Sequence, residues 1–198
     1  MSFGFAEIAE QLLDNGYTPL PVRAGEKRPA INDWANIDYQ KTPGFLDEFC
    51  RKFPRASTGI LLGNVCVIDI DVLNTDVAHT CQSLVISELG VAPCRYGKHP
   101  KSALFFKVEG PSFSFIATRP YTINGDKSQI EVRCDGQQMV IFGTHPFTKK
   151  QYYWQDDSLL ETPLSMLPPI TKDQAAALLD NLEVELAARA DKTKTISV

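Results

Sequence analysis

The chain has 198 residues, 43% hydrophobic and 22% charged, which suits one sizeable domain or two small interlocked ones and excludes collagen-like, coiled-coil and wholly disordered proteins. Lys plus Arg is 20 against 24 for Asp plus Glu, a formal charge of -4, which excludes a strongly basic nucleic-acid coat but not an enzyme whose acidic site is neutralised by metal ions. Cys50, Cys66, Cys81, Cys94 and Cys134 form no Cys-x-x-Cys pair and no zinc-finger spacing, and no basic leader or membrane-length apolar run is present, so a soluble cytoplasmic protein with reduced thiols is expected.

Phe5, Ile8, Ala9, Leu12 and Leu13 recur at helical spacing ahead of Gly16, predicting an amphipathic helix over residues 3–15 and a short strand over 17–21. Residues 23–36, with Lys27, Arg28 and Trp34, lack periodicity and read as a loop; Thr42-Pro43 then caps a second helix running through Phe53. Two apolar runs, 59–63 and 65–71, flank the turn dipeptide Gly63-Asn64 and predict a hairpin of buried strands. A helix over 75–89 stops at Gly90; strands are expected over 102–108 and 129–133, and Asp135-Gly136 reads as a tight hairpin turn into 138–142. After Pro168-Pro169, Thr171 and Gln174 form a capping-box pattern opening a helix whose stripe is Ala175, Leu178, Leu179, Leu182 and Leu186. The expected layout is a main domain over 1–170 with most of its sheet between 58 and 155, a C-terminal helix over 171–190, and a flexible tail or linker over 191–198.

Asp69 and Asp71 stand two apart on an apolar strand, so both carboxylates emerge on one face while Ile68 and Ile70 point to the other. Like charges so placed repel unless a cation joins them, and hard divalent ions such as Mg²⁺ or Mn²⁺ favour such oxygen ligands. Glu131, between Ile130 and Val132 on another predicted strand, is the candidate third carboxylate. The bland alternative is a strand simply leaving the core for solvent. Residues 92–107 hold Arg95, Lys98, His99 and Lys101 with no carboxylate, a local positive loop able to hold a triphosphate, or a solvated basic loop. His145 lies just past a strand end, where it can reach a ligand in the mouth of a sheet or serve only in packing.

Taken in order, Lys27-Arg28-Pro29 with Trp34, Thr58-Gly59-Ile60 to Gly63, and Val67-Ile68-Asp69-Ile70-Asp71 resemble the N-terminal domain of bifunctional DNA primase-polymerases, in the archaeo-eukaryotic primase superfamily. Arg95-Tyr96-Gly97-Lys98-His99-Pro100-Lys101 resembles the Arg-x-Gly-x-x-Pro-Lys segment of its phage and plasmid branch. Ile130-Glu131-Val132, Gly136-Gln137-Gln138, Gly143-Thr144-His145-Pro146 and Tyr153-x-Gln155 are similar to its closing block.

The resemblance implies an α+β, two-lobed primase-polymerase fold with a catalytic sheet of the RNA-recognition-motif type. It also implies template-directed nucleotidyl transfer by two divalent ions, Mg²⁺ or Mn²⁺, on Asp69, Asp71 and Glu131, in phage, plasmid or mobile-element replication. Arg95, Lys98 and Lys101 would hold the nucleoside triphosphate, with either His99 or Lys101 as the family's phosphate ligand and His145 at a further nucleotide position. Lys27, Arg28 and Trp34 would contact a single-stranded DNA template, and a replicative helicase is the implied further partner. Two other readings stay open on the same residues: a catalytically silent module binding single-stranded DNA or nucleotide, and a metal-dependent nuclease. A glycosyltransferase using Asp-x-Asp is a weaker third.

Overall fold

A computed structural model describes residues 3–191. Helix α1 (Phe5–Asp14) buries Phe5, Ile8, Ala9 and Leu12, and the Glu7 carboxylate accepts the Gly4 N–H at 2.6 Å to close its first turn. It covers a three-stranded antiparallel sheet, β1 (Thr18–Val22), β2 (Ser57–Leu61) and β9 (Gln138–Phe142) in the order β1-β2-β9. Helix α2 (Phe45–Lys52) packs on α1 through Phe49. It begins three residues later than Thr42, because the Thr42 hydroxyl is already donated to the Asp38 carbonyl at 2.6 Å and Gly44 takes the N-cap.

The larger sheet has eight strands: β3 (Val65–Asp71), β4 (Cys94–Lys98), β5 (Lys101–Val108), β6 (Ile116–Ala117), β8 (Asp126–Arg133) and β10 (Tyr153–Trp154) in the order β10-β4-β5-β3-β8-β6, with β7 (Tyr121–Ile123) on β8 and β11 (Pro169–Ile170) on β5. Its central order β4-β5-β3-β8 is antiparallel at every step. With helix α3 (Thr75–Leu89) crossing from β3 to β4, that is the split β-α-β order of an RNA-recognition-motif sheet. The motif's second helix is supplied from the end of the chain by α4 (Lys172–Arg189), which packs against α3 and β8. The fold is α+β, as the sequence leads one to expect.

The helix boundaries follow their caps. The Asn74 side chain accepts the Val77 N–H at 3.1 Å at the start of α3, and Gly90 ends it. Thr171 accepts the Gln174 N–H at 3.2 Å while Gln174 returns to the Thr171 N–H at 2.9 Å, completing the box at α4. Among the described residues no helix is long and apolar enough to cross a membrane. Of the expected tail, Asp191 accepts the N–H groups of Asn124 and Gly125 at 3.0 and 2.9 Å, and residues 192–198 lie outside the described residues.

The expected hairpins are corrected. β2 and β3 do not pair, nor do β8 and β9: in each case the turn carries the chain from one sheet to the other. Each of these strands lies inside its own sheet with partners on both sides, or is buried nearly throughout, so a turn dipeptide marks the change of direction and leaves the partner to tertiary packing. The two crossings lie side by side, with the Leu62 N–H donated to the Gln137 carbonyl at 2.9 Å and Gly63 at φ 138°, where a side chain would be strained. The stretch expected as a basic loop is strand β4, paired with β5 and buried at Cys94, Arg95 and Tyr96.

One face of the larger sheet packs under α3 and α4 through Cys66, Ile68, Ile70, Leu104 and Val132, with Leu178, Leu182 and Leu186 opposite. The other face packs on the smaller sheet through Val65, Val67 and Phe105 against Ile60, Leu62, Met139 and Ile141. Leu182→Ala, opening a cavity at a fully buried position, is expected to cost about 2–5 kcal/mol in urea denaturation, and Thr171→Ala about 1 kcal/mol through the lost cap. Equal costs would show that α4 is held by its end rather than by its stripe.

Candidate active site

Alternation along β3 places the site. Val65 and Val67 face the smaller sheet, and Asp69 and Asp71 continue the same face past its edge, where both become half-exposed. Pairing in register sets Glu131 of β8 directly beside Asp69, and Ala103 of β5 on its other side with Arg95 of β4 beyond it. The row Arg95, Ala103, Asp69, Glu131 therefore crosses four strands on one face. It borders a cavity of about 490 Å³ lined also by Asp71, Lys101, Lys98, Lys27, Arg133, Gln138, His145, Phe147 and Tyr152.

Each carboxylate has a cation partner. Arg133 reaches the Asp69 carboxylate at 3.3 Å through Nε, pairs with Glu131 through Nη2, and donates to the Gln137 side-chain carbonyl at 3.2 Å. Lys101 pairs with Asp71. Arg133 is a site residue missed at sequence level, although it stands two positions from Glu131 on one strand and so had to share its face.

The rest of the lining is cationic, with Arg95 and His145 buried and Lys27 and Lys98 exposed. Arg95 is 7% exposed, its guanidinium lies 4.5 Å above the Tyr152 ring, Nη2 contacts Met139 Sδ at 3.5 Å, and Nε has no partner. Burial lowers its pKa, but a guanidinium remains charged, so Arg95 is a buried cation without a counter-charge in contact. The Tyr152 hydroxyl beside it is also unpartnered. Lys27 is held below its usual value chiefly by desolvation, partly offset by Asp69. His145 is pushed down first by burial and then by Lys27, Arg95, Lys98 and Lys101, which keeps it neutral at pH 7. Its Nδ1 accepts the Thr148 N–H at 3.2 Å, leaving Nε2 as the protonated nitrogen. Gly97 has no room for a side chain: a Cβ there would stand 2.6 Å from the Tyr152 ring and 2.7 Å from Cδ2 of His145.

The structure thus brings Asp69, Asp71, Glu131, Arg95, Lys98, Lys101, His145 and Lys27 to one cavity. His99 is not among the lining residues; it stands exposed at the β4–β5 turn, 5.4 Å from the Tyr96 ring and 6.1 Å from His79 of α3. Between His99 and Lys101, it is Lys101 that faces the carboxylates. Arg28 is exposed and Trp34 half-buried in the single turn Trp34–Asn36, and neither lines the cavity. Tyr152 presents the ring on which Arg95 rests.

For a divalent ion, the donors present are oxygen-only carboxylates on one face of paired strands, a chemistry that fits Mg²⁺ or Mn²⁺. As the side chains stand, among the described residues no three His, Cys, Asp or Glu groups are gathered closely enough to hold one ion, and Arg133 and Lys101 are the groups engaging these carboxylates.

The family model described as bifunctional DNA primase/polymerase, N-terminal (Prim-Pol) matches residues 9–170. No curated protein matches the sequence. The matched span runs from within α1 through β11 and contains every cavity residue named above.

His145 is expected to titrate below the usual histidine value of 6.5 in nuclear magnetic resonance spectra, and inorganic triphosphate is expected to raise it by offsetting the surrounding cations. Because the folded value lies below the unfolded one, acid weakens folding at this residue as pH falls through about 6.5, where the unfolded chain takes up the proton first. A titration indifferent to triphosphate would place the anion elsewhere.

Proposed function

This chain belongs to the Prim-Pol family of bifunctional DNA primase/polymerase N-terminal domains, and we propose that its cavity carries out template-directed nucleotidyl transfer, as a DNA primase, a DNA polymerase or both. The observation that carries the reading is the buried Arg95 cation, with no carboxylate in contact, sharing one cavity and one sheet face with a strip of three carboxylates. A nucleoside triphosphate has the complementary chemistry, since its phosphates supply the missing counter-charge.

Asp69, Asp71 and Glu131 are the residues that would hold divalent metal. Ions bound there would lower the pKa of a primer 3′-hydroxyl and offset charge on the α-phosphate and the departing pyrophosphate. The chain's own groups do the rest. Arg95 binds phosphate oxygens with its planar fork, and Lys98 and Lys101 add point charges. Neutral His145 donates from Nε2 without adding charge. Arg133 holds Asp69 and Glu131 in position from their own face. Lys27, at the cavity wall, is placed to meet phosphate, whereas Arg28 and Trp34 would meet only strand that lies outside the cavity. The resemblance of Arg95-x-Gly97-x-x-Pro100-Lys101 to the phage and plasmid branch suggests replication of a mobile element as the setting.

The cation on every carboxylate favours a second reading, a silent module that binds single-stranded DNA or nucleotide without joining it. Incorporation of labelled nucleotides on primed and unprimed single-stranded DNA, in Mg²⁺ and in Mn²⁺, separates the two. Metal-dependent products are expected from the wild-type protein, with a loss of orders of magnitude in the Asp69→Ala Asp71→Ala variant and no loss of folding, because the two ion pairs removed keep contact with water and contribute on the order of 1 kcal/mol or less each. Products that persist in that variant would remove the pair from the mechanism, and their absence in folded, DNA-binding wild-type protein would select the silent module.

A further inference from the structure

Phe147 is 82% exposed, the most exposed large apolar side chain among the described residues, and it lines the cavity. Leaving a phenyl ring in water forgoes about 1.5–3 kcal/mol of burial, which a partner at the cavity mouth would recover. The backbone is ordered: Thr144 and Gln151 bridge the loop, the His145 N–H is donated to the Lys150 carbonyl at 2.8 Å, and the Lys149 N–H to the His145 carbonyl at 3.0 Å. Thr148 ties the loop to the site, its hydroxyl donated to the Gly97 carbonyl at 3.2 Å and its N–H to His145 Nδ1 at 3.2 Å. The Phe147 ring leans on the His145 ring at 5.9 Å and 55°, which leaves its far face open. Two and three positions further along the same loop are Lys149 and Lys150, both exposed. An open aromatic face, fixed at the edge of a cation-lined cavity with lysines on the same loop, is the combination that accepts a base and its phosphates without regard to sequence.

We propose that Phe147 is a nucleobase-stacking platform at the mouth of the cavity. The proposal rests on reading the cavity as a nucleotide site and adds a binding residue to it. The base could belong to the incoming nucleotide, with its phosphates at Arg95, or to the template strand, with its phosphates at Lys149 and Lys150; the chemistry recognised is the same.

Two pairs of probes, measured without turnover, separate these sources. One pair is a labelled single-stranded oligothymidylate and an abasic oligomer of equal length; the other is thymidine triphosphate and inorganic triphosphate. In Phe147→Ala, binding of one base-bearing probe is expected to fall roughly ten-fold, within the range of base–aromatic stacking, while its base-free counterpart binds as before and Phe147→Tyr restores the affinity. Loss with the oligomer assigns the template base, and loss with the nucleotide assigns the incoming base. Equal loss with base-free probes, no loss with either pair, or wild-type protein that binds bases no better than their base-free counterparts overturns the platform. Base-dependent binding that survives in a protein unable to incorporate nucleotides would sink the polymerase reading and leave the platform standing.

Discussion

Strand β3 sits between β5 and β8 at the centre of the eight-stranded sheet, and its two faces meet different surroundings along its length. Cys66, Ile68 and Ile70 lie under helices α3 and α4 throughout. Val65 and Val67 face the smaller sheet, and where that sheet ends the same face carries Asp69 and Asp71 instead. The strand cannot slip by one residue without driving two carboxylates under the helices, so burial of the apolar face holds the acidic one in place. Register across β5 and β8 then delivers Arg95 and Glu131 to the same row.

The charges in the cavity are of two energetic kinds. Arg133 with Asp69 and Glu131, and Lys101 with Asp71, are pairs that keep contact with water, and pairs of this sort contribute on the order of 1 kcal/mol or less. Arg95 is buried, without a carboxylate in contact, and an uncompensated charge there costs several kcal/mol. An anion gains most by approaching Arg95, where it relieves an existing cost, and little by competing for the cations already paired. The carboxylate strip is correspondingly easy to reorganise, since its ion pairs are weak. Tyr152, stacked under Arg95, and Gly97, which leaves room for Tyr152 and His145, keep the buried cation aimed at the cavity.

Local signals in the sequence were read well wherever the physics is local. The cap at Thr171, the stops after α1 and α3, and the alternation around Asp69, Asp71 and Glu131 depend on residues within a few positions of one another, whereas Thr42 bonds back to Asp38 and leaves the α2 cap to Gly44. Strand β4 was harder, because its inward Arg95 breaks the apolar pattern that marks a buried strand, and the same burial makes Arg95 the most consequential cation of the site. Arg133 was visible in principle by its spacing from Glu131, but a cation beside a carboxylate on a strand looks like an ordinary solvated face.

The sequence by itself determined the helices, most of the strands and the faces on which Asp69, Asp71 and Glu131 emerge, because turns, caps and side-chain alternation are set by neighbours along the chain. It also carried the family resemblance that residues 9–170 bear out. Only the tertiary structure decided that β2 and β3, and β8 and β9, part company into two sheets, since a turn does not name the partner of the strand it releases. The same packing turned Lys101 to the cavity and left His99, Arg28 and Trp34 outside it, because which side chains share a cavity depends on contacts between strands far apart in sequence.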